Sequence, residues 1–258
     1  MKTLGIVAHS AEGAALCFIT ACREGQQLLG PHMHPEIVLS AVPMALSLPG
    51  WKSNDHARVA PFLRRGVEQV AAAGADFFIC PANTAHIVLE EIAHTLPIPG
   101  LHIAEVVAQE MAQHGWSTAG LLGTEWTMKS TVYADALRRR GLRHIIPDAA
   151  TRSLIDRAIF QELCLGVFTT GTTALFERAI DDLRAQGGDS VILGCTEIPL
   201  IISDANSALP VLDSTRLLAK YAVTEALNDR PLVSANGWLR DVAGAQRAPV
   251  EFYRGDKG

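Results

Sequence analysis

Three segments gather residues that could do chemistry. They are Cys80-Pro81-Ala82-Asn83-Thr84-Ala85-His86, Gly194-Cys195-Thr196-Glu197-Ile198-Pro199 and Gly123-Thr124-Glu125-Trp126-Thr127. Each follows a strand-like run and reads as a strand end meeting a helix N-terminus. Backbone N–H groups are unpaired there and the helix dipole is positive, so a carboxylate is a natural guest. Thr84, Thr124, Thr127 and Thr196 can add hydroxyl donors, with Asn83 beside them. Cys195 offers a thiol that titrates near working pH and that a helix N-terminus can hold as thiolate.

Other side chains support these three. His86 lies one turn beyond Ala82, where it could act as an acid or base or simply orient the loop. Glu197 could orient Cys195 or cap its own helix. His9 follows the first strand near a cleft mouth, as a candidate substrate contact, with the Ser10 hydroxyl beside it. Lys52 or Arg58 could hold a second carboxylate, although surface charge is the simpler role for either. Asp213 ends a strand and reads as structural, while Cys17, Cys22 and Cys164 fall in helical patterns and read as core.

The elements that position these residues alternate between strand and helix. Leu4 to Ala8 is a short buried-type strand. Val59, Phe62, Leu63, Val67 and Val70 recur at helical spacing over residues 57–73, Gly74 ends that helix, and Asp76 to Cys80 is the next strand. The second half repeats the plan. Ala119 to Leu122 is a strand, Leu175 to Leu183 carries a helical stripe, Gly187-Gly188 ends it, and Ser190 to Leu193 is a strand. Residues 210–215 read as a further strand leading into a helix over 216–227, capped by Ser214 or Thr215. Alternation of this kind predicts parallel sheets flanked by helices.

The two halves overlay. Leu4-Gly5-Ile6-Val7-Ala8-His9 matches Ala119-Gly120-Leu121-Leu122-Gly123-Thr124, and Gly74 to Ile79 matches Gly187 to Ile192. Gly5 and Asp76 are 71 positions apart, Gly120 and Asp189 are 69 apart. The expected fold is therefore α/β, with two similar parallel-sheet lobes related by a pseudo-twofold and the active site in the cleft between them. The expected boundaries are residues 1–115 for the first lobe, completed by 213–230, and 116–212 for the second. A tail over 231–258 has no clear periodicity and is expected to pack on the surface or be partly disordered.

Composition narrows the function classes. The chain has 258 residues, is 48% hydrophobic and carries a formal net charge of −5, so no concentrated basic face points to nucleic acid or a membrane surface. The one tight basic cluster, Arg138-Arg139-Arg140, reads as a solvated helix face. No apolar run approaches the roughly 18 residues of a membrane span, and His9 and Glu12 interrupt the apolar start too early for a secretion signal. The five cysteines are odd in number and contain no C-x-x-C pair, which argues against a disulfide framework or a zinc site and for reduced thiols in the cytoplasm. No G-x-G-x-x-G follows the first strand, so a dinucleotide fingerprint is absent. Lys129 is the nearest candidate for a Schiff-base lysine, but it has no supporting motif. No metal and no cofactor are expected.

Together Cys-Pro-x-Asn-Thr-Ala-His, Leu-Leu-Gly-Thr-x-x-Thr-Met, Glu-Leu-Cys-Leu-Gly-Val and Ile-Leu-Gly-Cys-Thr-Glu-Ile-Pro-Leu resemble the aspartate/glutamate racemase superfamily, over about residues 1–227. The resemblance implies a two-lobed enzyme without pyridoxal phosphate or metal, often a homodimer. It implies two cysteines facing each other across the cleft, one removing the Cα proton and the other returning one to the opposite face. The substrate would be an aspartate- or glutamate-like amino acid. One base and one acid on opposite faces of a planar intermediate suit a pseudo-twofold site, with donors around the substrate carboxylate stabilising the carbanion.

This chain departs from that pattern at two places. The first cysteine of the family stands immediately before Asn-Thr, where this chain has Ala82. The internal overlay agrees, since Asp76 plus six is Ala82 and Asp189 plus six is Cys195. Cys80 instead aligns with Leu193 inside a strand and reads as a buried structural thiol. The His9-Ser10 segment replaces a Gly-Gly-Met type loop. Three readings follow. The first is a cofactor-independent racemase or epimerase with Cys195 as the surviving acid/base. The second is a one-cysteine decarboxylase, lyase or cis–trans isomerase of a small dicarboxylate. The third is a non-catalytic carboxylate-binding protein, against which the retained thiol argues.

Overall fold

The computed structural model describes residues 1–240 and 242; the remainder of the expected 231–258 tail lies outside the described residues. The first lobe contains β1 (Leu4–Ala8), α1 (Ala11–Leu29), β2 (Ile37–Ala41), α2 (Leu48–Lys52), α3 (His56–Ala72), β3 (Phe77–Ile79), α4 (Ala85–Ile92), β4 (Gly100–Leu101) and α5 (Ile103–Gln113). The second contains β5 (Thr118–Gly123), α6 (Glu125–Lys129), α7 (Thr131–Arg138), β6 (Arg143–Ile145), α8 (Ala149–Gln161), α9 (Thr170–Ala185), β7 (Ser190–Gly194) and β8 (Val211–Asp213). Then come α10 (Ser214–Leu227) and two short strands, β9 (Ser234–Ala235) and β10 (Trp238–Leu239).

The strand order is β2-β1-β3-β4 in the first sheet and β6-β5-β7-β8 in the second. Within these four-strand sets every pairing is parallel. Every residue of β1, β3, β5 and β7 is buried, as expected for central strands covered on both faces. The repeat holds down to the register. Leu4 pairs with Phe77 and Gly5 with Phe78, while Ala119 pairs with Ser190 and Gly120 with Val191. These are the positions that the sequence overlay equates.

An aspartate performs the same task in each repeat. Asp76 accepts from the Thr3 N–H at 2.7 Å while its own N–H donates to Thr3 O. Asp189 accepts from the Ser117 N–H at 2.6 Å and its N–H donates to Thr118 O. Each carboxylate pins the entry of a central strand, and so fixes where the residues six positions later emerge.

Two local expectations change. The cap of α10 is Asp213, whose carboxylate accepts from the N–H groups of Thr215 and Arg216, both at 3.0 Å; neither Ser214 nor Thr215 caps it. A carboxylate one residue earlier reaches the free N–H groups and also adds favourable charge at the dipole. Past α10, the chain makes a hairpin instead of an irregular tail. Asn236 and Gly237 take φ of 53° and 81°, the backbone of a two-residue hairpin turn, and β10 joins β4 in the first sheet. The Asn-Gly pair was the signal for it.

α10 packs on α1 and α5, its Leu218, Ala219, Tyr221 and Ala222 sharing a core with Ala14, Cys17 and Ala21. Arg138 pairs with Asp135, and Arg139 and Arg140 pair with Glu105, at the surface. Among the described residues, no helix is long and apolar enough to cross a membrane.

Candidate active site

A cavity of about 70 Å³ lies where the carboxyl ends of both sheets meet. From the first lobe His9, Ser10, Ala82, Asn83 and Thr84 line it; from the second come Thr124, Cys164, Cys195, Thr196 and Glu197. The lobes are in close contact here. A Cβ added to Gly13, in the first turn of α1, would lie 2.5 Å from Thr196 Cγ2, so only glycine lets this helix start approach the loop carrying Cys195. Ala82 and Cys195 line the same cavity, as their equivalent positions after Asp76 and Asp189 require.

Cys195 follows the last residue of β7. Its Sγ–H donates to Glu197 Oε2 at 2.9 Å, and the Glu197 side chain is buried. The expected helix N-terminus is missing: after Glu197 the chain makes only a single 3₁₀ turn, Ile198–Leu200. With no aligned peptide dipoles to stabilise an anion, burial and then the Glu197 carboxylate push the Cys195 thiol well above its ordinary range. This arrangement holds a thiol within hydrogen-bond distance of a carboxylate.

Three threonine hydroxyls meet across the cleft. Thr84 Oγ1 lies 2.9 Å from both Thr124 Oγ1 and Thr127 Oγ1, and the last two are 3.1 Å apart. Thr124 caps α6 by accepting from the Thr127 N–H. The cluster satisfies itself by rotating hydroxyl protons, and the same rotors can turn to an incoming anion. Asn83 plays a different part. Tyr133 donates to its Oδ1 at 2.6 Å, its Nδ2 donates to Ser214 Oγ at 3.0 Å, and Ser214 donates to Leu193 O. This buried chain ties the loop after β3 to α7, α10 and β7.

His9 reports its own tautomer. The Trp51 indole Nε1–H lies 3.1 Å from His9 Nε2, and an indole N–H only donates, so Nε2 is the bare acceptor and the ring proton sits on Nδ1. Burial lowers its pKa to about 4, which keeps the ring neutral. Ser10 is the N-cap residue of α1, yet its hydroxyl makes no cap bond and borders the cavity.

The structure does not bring His86 into the site. Its Nδ1 donates to Ala82 O at 3.1 Å, its Nε2 accepts from the Ile103 N–H, and its ring stacks on Trp238 at 5.6 Å. It is fully buried, and burial followed by the neighbouring His102 lowers its pKa to about 3. Both nitrogens are occupied, so His86 orients the loop and is no acid or base there. Cys80 is buried in the first-lobe core beside Phe78 and Val88, with burial raising its pKa to about 12. Lys52 and Arg58 are exposed and do not line the cavity.

Cys164 is the residue that the sequence reading misplaced. Its helix-like surroundings suggested core, but it sits in a 3₁₀ turn just after α8, half-buried and lining the cavity. Burial and then Glu197 raise its thiol to about 12. Gly166, at φ 72°, ends that turn, and the Glu-Leu-Cys-Leu-Gly run was the available signal. Gly194 and Trp126, from the segments singled out in the sequence, complete the wall with Met44, Leu48, Ile159 and Phe160, which had no local signature.

Comparison with known proteins matches residues 18–222 to the Asp/Glu/hydantoin racemase family. The broad specificity amino-acid racemase RacX of Bacillus subtilis is 32% identical over 176 residues, covering 67% of this chain and 74% of that protein. A Yersinia pestis crystal structure, provisionally assigned as an Asp/Glu racemase, superposes with a TM-score of 0.81 at 31% identity, over 88% of this chain and all of that one. An aspartate racemase homologue from Pyrococcus horikoshii, at 24% identity and a TM-score of 0.75 over 88% of this chain and all of that one, shares the fold.

Proposed function

This chain belongs to the Asp/Glu/hydantoin racemase family, and we propose that it is a cofactor-independent amino-acid racemase or epimerase working at Cα through Cys195. The observation that carries this reading is the buried Cys195–Glu197 pair, at 2.9 Å, opening on a cavity shared by two equivalent strand ends. The substrate carboxylate turns the hydroxyls of Thr84 and Thr124 toward itself, with Thr127 bonded behind them and Ser10, Asn83 and Thr196 bordering it. Glu197 takes the Cys195 proton. The thiolate then removes the Cα proton, and the electron pair delocalises into the carboxylate, where the fixed donors stabilise it. On the Ala82 side no thiol stands, and the proton returned to that face comes from solvent. Among the described residues, no lysine lines the cavity to anchor a pyridoxal group, which supports the cofactor-independent reading. A cytoplasmic homodimer is the setting we assign; the five free thiols fit a reducing compartment.

The test is Cα hydrogen exchange. A panel of L- and D-amino acids incubated with the protein in D₂O should lose Cα proton signal by NMR, and the Cys195→Ala protein should not. Exchange that persists in Cys195→Ala would remove Cys195 from the chemistry. Ala82 favours one second reading, a one-thiol decarboxylase or lyase that protonates a carbanion from a single face. It predicts turnover of a malonate-like diacid and no exchange on any amino acid.

A further inference from the structure

The geometry points to an amino acid with an uncharged, apolar side chain as the substrate, in place of the acidic one that the family resemblance implies. This assignment rests on the proposed reaction site and on the walls around it. Among the described residues, no arginine or lysine lines the cavity. The nearby Lys129 belongs to a neighbouring depression beyond Trp126, paired with Glu125 at 2.5 Å. His9 is neutral and its Nε2 is taken by Trp51. Among the described residues, the one formal charge on the wall is the Glu197 carboxylate.

That inventory matches one zwitterion and no more. The α-carboxylate has the threonine cluster, and the α-ammonium has Glu197. A second carboxylate would find no cation, would lose its hydration and would face Glu197 as a like charge. What the walls offer instead is Met44, Leu48, Ala82, Trp126, Ile159 and Phe160. Such surfaces select by burying apolar area. Met44 and Leu48 come from the half-buried segment between β2 and α3, and an unbranched thioether adapts to side chains of different shape. The walls therefore suit a range of apolar side chains and count against both an acidic amino acid and a dicarboxylate.

Calorimetric binding to the Cys195→Ala protein tests this without turnover. L-leucine, L-methionine and L-phenylalanine should bind at least about tenfold more tightly than L-aspartate and L-glutamate, the scale on which apolar pockets discriminate. Acidic amino acids binding as tightly as the apolar set, or neither set binding, would overturn the inference. Leu48→Arg and Met44→Lys each place a cation on the wall and should raise L-aspartate affinity while lowering that for L-leucine. Cα exchange by the unaltered protein separates the two claims. Tighter apolar binding with no exchange leaves this inference standing and removes the racemase reading; exchange confined to aspartate and glutamate does the reverse.

Discussion

The sulfur of Cys195 lies 2.9 Å from Oε2 of Glu197, two residues along the same loop. Burial first, and then the charge of the Glu197 carboxylate, hold the thiol's pKa above its ordinary range. Replacing Glu197 with Gln removes the charge and keeps an acceptor. The thiolate ultraviolet absorbance of Glu197→Gln should appear at lower pH than in the unaltered protein. Its Cα exchange rate should fall by about 10²–10⁴, the usual contribution of a positioned base. An unchanged thiol titration would show that Glu197 does not control Cys195.

Ala82 and Cys195 occupy equivalent positions of the two repeats and line one cavity. Ala82→Cys therefore restores a thiol on the vacant side. Inversion should accelerate relative to exchange, read by following enantiomer ratio and deuterium incorporation in the same sample. If the ratio of the two rates does not move, the vacant side is not the one from which the proton returns.

The hydroxyl cluster makes a separate prediction. Thr84→Val and Thr124→Val each delete a donor to the substrate carboxylate while keeping shape. A hydrogen bond to a charged group contributes about 1.5–3 kcal/mol, so KM should rise roughly tenfold to hundredfold. Thr124→Val also removes the cap of α6, so it should lower Tm, whereas Thr84→Val should leave Tm nearly unchanged. A KM equal to that of the unaltered protein in both variants would displace the carboxylate from this cluster.

Trp51 holds His9 in one tautomer at 3.1 Å. In Trp51→Phe the indole donor is lost and Nε2 is free to take a proton. Nitrogen-15 NMR should then show His9 as a mixture of tautomers that titrates, in contrast to a single Nδ1–H form in the unaltered protein. A single Nδ1–H form persisting in Trp51→Phe would mean that another group sets the tautomer.

Acid stability should depend on the histidines buried neutral in the first lobe. His86 falls from an ordinary 6.5 to about 3, and His102 to about 4, chiefly through burial. The unfolded chain therefore binds more protons than the folded one between about pH 6.5 and pH 3. The sign follows directly: stability is full above pH 6.5 and declines as pH falls through this window. Urea midpoints measured from pH 7 to pH 4 should fall, and His86→Phe, which keeps a ring against Trp238, should flatten that decline. An equally steep decline in His86→Phe would assign acid sensitivity elsewhere.

Much of the architecture was legible in the residues themselves. Central parallel strands are covered on both faces, so Leu4 to Ala8, Asp76 to Cys80, Ala119 to Leu122 and Ser190 to Leu193 read as strands from their near-continuous apolar runs. The recurrence of Gly5 and Asp76 as Gly120 and Asp189 carried the register, because each aspartate bonds the backbone at the entry of the neighbouring central strand, Asp76 at Thr3 and Asp189 at Ser117 and Thr118. The equivalence of Ala82 with Cys195 followed from that spacing.

Other features depended on contacts between distant parts of the chain. His86 has a catalytic residue's spacing, and only the packing of Trp238, Ala82 O and the Ile103 N–H around its ring shows that both nitrogens are used. Cys164 lay in an apolar helical pattern, yet a left-handed Gly166 turns its loop toward the cavity. The helix expected after Glu197 shrank to one turn, and burial with the Glu197 carboxylate raises the thiol where a helix N-terminus was expected to lower it. Met44, Leu48, Ile159 and Phe160 are ordinary apolar residues in isolation. Sequence fixes local periodicity and local hydrogen bonds, but the charge and polarity of a cleft are sums over segments far apart in the chain, and only the tertiary structure performs that sum.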